Sequence, residues 1–119
     1  MKNTLVIGAS TNVERYSNMA IKLLNANNHL VFAIGNKAGE VDGVNIYTNN
    51  NPFNNIDTVT LYIGAKHQPE YYNYILSLKP NRIIFNPGTE NEELENLAKA
   101  NNIVTSEACT LVLIKTGQY

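Results

Sequence analysis

Two short apolar runs, each stopped by a glycine, constrain this chain more than any other feature: TLVI at residues 4–7 before Gly8, and LVFAI at 30–34 before Gly35. An apolar run without alternation suits a strand buried on both faces. Between the two, residues 17–27 carry Met19, Ala20, Leu23 and Leu24 on one side of a helical period, and Asn27–Asn28 stop it. Strand, loop, helix and strand in succession make a crossover unit, which sets two strands parallel.

The alternation continues. Residues 57–63 (DTVTLYI) read as a strand, and VNIY at 44–47 offers a short one. Pro69 stands where the first turn of a helix tolerates it, with Tyr71, Ile75 and Leu78 on one face behind it, and Pro80 ends that helix. RIIF at 82–85 is a strand. Thr89 with Glu92 three residues on has capping-box spacing, and Leu94, Leu97 and Ala98 form the buried stripe of the helix it opens. Residues 103–105 make a last short strand. The tail EACTLVLIKTG is apolar enough to be buried, but its periodicity does not separate helix from strand. This order predicts a three-layer α/β domain with a mostly parallel sheet of about five strands.

The chain has 119 residues, 44% of them hydrophobic, and a formal net charge of −1. That length predicts one domain over residues 1–119. With no basic block, nucleic acid is not an expected partner. No apolar run approaches the roughly 18 residues of a membrane span. One cysteine, Cys109, excludes an internal disulfide. Residues 3–9 are too short and too uncharged at their start for a secretory signal, so the expected location is the cytoplasm. The asparagine runs read as exposed loops.

In such folds ligands sit beyond the carboxyl ends of the strands, where strand order reverses. Gly8 permits a sharp turn and a close backbone approach. Ala9 is small, and Ser10, Thr11 and Asn12 can donate from their side chains. The helix that follows favours an anion at its start, and Arg15 adds a positive fork. The intact G-x-G-x-x-G fingerprint is absent. So is the acid that ends strand two in NAD binders: the run is Ile34-Gly35-Asn36-Lys37. Lys37 would attract a phosphate there, which suits NADP or coenzyme A.

Elsewhere, Ile63 ends a strand against which adenine or ribose could lie, and Pro87 and Gly88 in FNPGTEN could line the cleft with backbone. Histidine is a common acid–base side chain, but no partner for His67 is visible, and it reads as a helix-start histidine without a role. His29 reads as structural and Cys109 as a small buried hydrophobe. The two histidines and one cysteine are too scattered for a metal site. The apolar Leu111–Ile114 segment either supplies a homodimer interface or closes the core.

LVIGASTN, RYSNMA, FNPGTEN, EACTLVLI and the closing TGQY, in this order and spacing, resemble the small stand-alone CoA-binding-domain proteins of bacteria. That family is similar in fold to the Rossmann-like nucleotide-binding domain of the succinyl-CoA synthetase α subunit. The resemblance spans essentially the whole chain. It implies that Gly8, Ala9 and Ser10 belong to a phosphate loop and that Arg15, Tyr16 and Ser17 lead into the first helix. It also implies that Gly35, Asn36 and Lys37 approach the adenosine phosphate, and that Pro87 and Gly88 form the Pro-Gly turn. Synthetase chemistry is not expected, since no second domain or phosphohistidine segment is recognisable. Gly-Asn-Lys also replaces the asparagine-proline that follows strand two in larger relatives. The leading expectation is a CoA or acyl-CoA binding protein, a non-catalytic or regulatory module. The alternative is a small NADP-dependent oxidoreductase completed by oligomerisation.

Overall fold

A computed structural model describes residues 1–119. The order is β1 (Thr4–Ile7), α1 (Tyr16–Ala26), β2 (Val31–Ile34), β3 (Gly39–Val41), β4 (Val44–Tyr47) and β5 (Thr58–Leu61), then α2 (Tyr72–Leu78), β6 (Arg82–Phe85), α3 (Glu92–Ala100), β7 (Val104–Glu107) and α4 (Thr110–Lys115). Two 3-10 turns, Ala65–His67 and Pro69–Tyr71, lead into α2.

The strands form one sheet in the order β3-β4-β2-β1-β5-β6-β7, so β1 lies at its centre. Every neighbouring pair is parallel except β3 with β4. Ile7 is in register with Ile34 and with Leu61, so β1, β2 and β5 end flush. Their three following loops therefore open at one level, and strand order reverses between them.

The uninterrupted apolar runs have the reason anticipated for them: both faces of the sheet are covered. Leu5 and Ile7 point to a cluster that includes Ile75 of α2 and Leu94 and Ala98 of α3. Val6 points the other way, to Ile21 and Leu24 of α1, with Ile114 of α4 packed alongside. Burying side chains of this size contributes about 1.5–3 kcal/mol each.

Three details depart from the sequence reading, and the open question of the tail is resolved. The sheet has seven strands rather than about five, because 39–41 and 44–47 form an edge hairpin. The last strand is Val104–Glu107, further along than 103–105. The tail is helical, with α4 packed beside α1. Thr89 does not cap α3. Its hydroxyl donates to the Asn86 carbonyl at 2.8 Å, and Asn91 Oδ1 instead accepts from the Leu94 amide.

At the far end of the sheet from the three flush loops, Tyr119 packs over the strand starts. Its hydroxyl lies 2.6 Å from Thr4 Oγ1, and the Arg82 guanidinium sits 4.5 Å from its ring centre. His29 meets the same ring edge-on, and its Nδ1 accepts the Lys2 amide at 2.9 Å.

Candidate nucleotide cleft

The loops after β1, β2, β5 and β6 enclose a cavity of about 610 Å³, larger than two depressions elsewhere on the surface, of about 480 and 270 Å³. Of the expected site residues, Gly8, Ala9, Ser10, Asn12, Arg15, Tyr16, Ser17, Gly35, Asn36, Lys37, Ile63 and Pro87 all line it. Gly88 does not. Its amide donates to Glu90 Oε1 at 2.9 Å, and its φ of +91° explains why glycine stands there. Thr11, Tyr62, Tyr71 and Thr89 line the cavity without having been singled out for it.

The first loop is built differently from the simplest expectation. The amides of Gly8 and Ala9 both donate to the Ile34 carbonyl at 2.9 Å, so neither is free for a phosphate. Gly8 is required by its neighbours. At φ +94°, a Cβ there would stand 2.9 Å from the Tyr62 carbonyl carbon. Gly35 is required for a similar reason, since its Cβ would fall 2.3 Å from the Ala9 carbonyl oxygen. The two glycines let β1, β2 and β5 close up just where the cleft begins.

The donors left without a protein acceptor lie further along. Ser10 and Thr11 in the loop, and Tyr16 and Ser17 in the first turn of α1, have main-chain amides that bond to nothing in the protein. The last two are the unpaired donors every helix start leaves. The loop that carries them is held internally. Ser10 Oγ accepts the Asn12 amide at 3.0 Å, and Asn12 Oδ1 accepts the Glu14 amide at 3.0 Å. The buried Asn18 donates its Nδ2 to the Ser10 carbonyl at 2.9 Å, tying the loop down onto α1.

The charge on the cleft is positive and unpaired. Arg15 and Lys37 line it, and neither is in an ion pair; the one ion pair of the protein joins Lys99 and Glu95 at 3.4 Å. The opposite end, from Tyr62 and Ile63 to Tyr71, Pro87 and Thr89, carries no charged lining residue. Tyr62 is the most perturbed group here. Burial pushes its phenol up to about 12, so it is a neutral wall at ordinary pH. Behind it, Asn86 Nδ2 donates to Thr60 Oγ1 at 2.7 Å and to the Leu61 carbonyl at 2.8 Å. Asn86 Oδ1 accepts the Thr110 amide at 2.9 Å, which fixes α4 against the ends of β5 and β6. His67 sits on the exposed first 3-10 turn and does not line the cleft, and Cys109 is half-buried just before α4. The arrangement offers anion donors and two cations at one end and an uncharged channel at the other.

A family model described as CoA binding domain matches residues 2–115. Among solved structures, an uncharacterized protein is 46% identical over 100% of this chain and 98% of its own, with a TM-score of 0.97. A hypothetical protein from Pyrococcus horikoshii OT3 is 24% identical, covering 97% of this chain and 82% of its own at a TM-score of 0.87. A protein from Thermus thermophilus is 16% identical over 99% and 91%, with a TM-score of 0.82. These last two share the fold. Comparison with curated protein sequences gives no match. No helix is long and apolar enough to cross a membrane.

Proposed function

The chain belongs to the CoA binding domain family, and from that premise we propose that its cleft binds coenzyme A or an acyl-CoA as a non-catalytic module. Residues 1–119 act as one binding domain in this reading. The diphosphate sits on the free amides of Ser10, Thr11, Tyr16 and Ser17 with Arg15 beside it. The adenosine phosphate lies near Lys37. The pantetheine arm runs along the uncharged wall of Tyr62, Ile63, Tyr71, Pro87 and Thr89. The observation that carries the reading is this pairing of unsatisfied amides with two unpaired cations at one end of a cleft of about 610 Å³. Fixed donors of this kind hold an anion with little reorganisation.

Binding without turnover is the simpler reading of the lining residues. None is a histidine, cysteine or carboxylate, and no lining hydroxyl is hydrogen-bonded to a basic side chain that would activate it.

Isothermal titration against CoA, dephospho-CoA and NADP tests the proposal. Wild-type protein is expected to bind CoA most tightly. Lys37→Ala should weaken CoA about tenfold, the size of one charge-assisted contact, while dephospho-CoA changes by less than about twofold. Heat with NADP and none with CoA at the same concentration would reject the reading, and so would equal losses for CoA and dephospho-CoA in the variant.

A further inference from the structure

We propose that Gln68 is a positioning residue for the pantetheine arm: it sets the width of the uncharged half of the cleft by stapling the loop after β5 to the loop after β6. The proposal rests on the CoA reading above.

Gln68 is fully buried between the two 3-10 turns. Its Nε2 donates to the Ile63 carbonyl at 3.0 Å and to the Thr89 carbonyl at 2.7 Å. Its Oε1 accepts Asn91 Nδ2 at 2.9 Å. Both amide hydrogens and the oxygen are thus engaged. Ile63 and Thr89 are themselves lining residues, one on each of the loops that flank the channel. Asn91 extends the staple. Its Nδ2 also donates to the Tyr72 hydroxyl at 2.8 Å, and its Oδ1 caps α3.

The chemistry at this position is not what packing alone would select. A fully buried site that only needs filling favours an apolar side chain, because an amide there must recover its lost hydration through hydrogen bonds. Gln68 recovers it entirely from cleft-forming segments. The deeper crosslink between the same strands, made by Asn86, reaches the Leu61 carbonyl at the very end of β5 and stops there. Beyond it, Gln68 provides the direct hydrogen bonds joining the Ile63 and Thr89 segments. The diphosphate end of the cleft has its own fastening through Asn18 and Ser10. The two halves therefore have separate side-chain staples, and losing one should leave the hydrogen bonds of the other in place.

The experiment compares CoA with adenosine 3′-phosphate 5′-diphosphate, the fragment that lacks pantetheine, by calorimetry on wild type, Gln68→Met and Asn91→Asp. Gln68→Met keeps the volume and removes the donors. Should it leave the channel competent about a tenth of the time, apparent CoA affinity falls about tenfold. The fragment should bind as in wild type, and deuterium exchange should rise over residues 62–64 and 87–90. Asn91→Asp still caps α3 but cannot donate to Gln68. It should weaken CoA about threefold with the fragment unchanged, and it serves alone should Gln68→Met not fold. Parallel losses for CoA and fragment mean a merely structural role and overturn the proposal, as does unchanged CoA binding in both variants. Failure of wild-type protein to bind CoA at all overturns the ligand reading instead.

Discussion

Gly35→Ala is the sharpest test of how the cleft is built. The added Cβ would stand 2.3 Å from the Ala9 carbonyl oxygen, 3.1 Å from its carbon and 3.1 Å from Ile46 Cγ2. Carbon–oxygen contacts settle at about 3.3 Å or beyond, so the loop must retreat by about 1 Å. The atom in the way is backbone, with no rotamer to escape into. Moving Ala9 strains the paired bonds from the Gly8 and Ala9 amides to the Ile34 carbonyl. Overpacking of this kind costs about 1–3 kcal/mol, and weakening one of those bonds adds about 1 kcal/mol. A total of about 2–4 kcal/mol lowers Tm by about 8–16 °C for a chain of this size. Gly64→Ala is the control. That glycine has φ −65° and ψ 159°, and its Cβ would meet nothing within 4 Å. Alanine there should be neutral or add up to about 1 kcal/mol by restricting the unfolded chain. Circular-dichroism melts of the two variants decide the matter. A Gly35→Ala protein melting within about 2 °C of wild type would refute the argument that a clash with Ala9, rather than a ligand, demands glycine.

Other outcomes follow from the buried polar groups. Asn86→Ala strips partners from Thr60 Oγ1, the Leu61 carbonyl and the Thr110 amide, and should cost about 2–4 kcal/mol in urea unfolding. His29 has its pKa lowered, chiefly by burial and then by the neighbouring amino terminus, while its neutral Nδ1 accepts the Lys2 amide. The unfolded chain then binds the proton more readily. The stabilisation is complete above the unfolded value and is lost as pH falls from about 6.5 through the folded pKa. Melts between pH 8 and pH 5 should show that decline in wild type and a shallower one in His29→Gln.

What the sequence discloses here divides by range. The runs at 4–7, 30–34, 57–63 and 82–85 announce strands because burial on both faces favours apolar and β-branched residues with almost no charge, and that is a local property. The edge hairpin at 39–47 is half exposed and carries only a few inward residues, so it leaves a faint pattern. TLVLIK is apolar almost throughout and holds no period, and its helical state is decided by packing against α1. Thr89 had the spacing of a capping box, yet its hydroxyl turns back to Asn86, because the turn through Gly88 delays α3 to Glu92. The cleft was legible where it depended on chain order, since loops after central strands must meet at the reversal of strand order. The true roles of Gly8 and Gly35 were not, because the atoms they avoid belong to distant segments. Gln68 and Asn86 gave no signal either: each buried amide is recognised by a partner 21 or 26 residues away, which no local window contains.

The central place of β1 also bears on how the molecule is made. Its register partners are residues 31–34 on one edge and 58–61 on the other. A ribosome delivers this segment early, yet its second edge stays open until about half the polypeptide has emerged. Throughout that interval a largely apolar ribbon presents bare hydrogen-bonding groups to its surroundings, so docking of β5 closes the edge of β1 and hands the open edge on to β5 until β6 arrives.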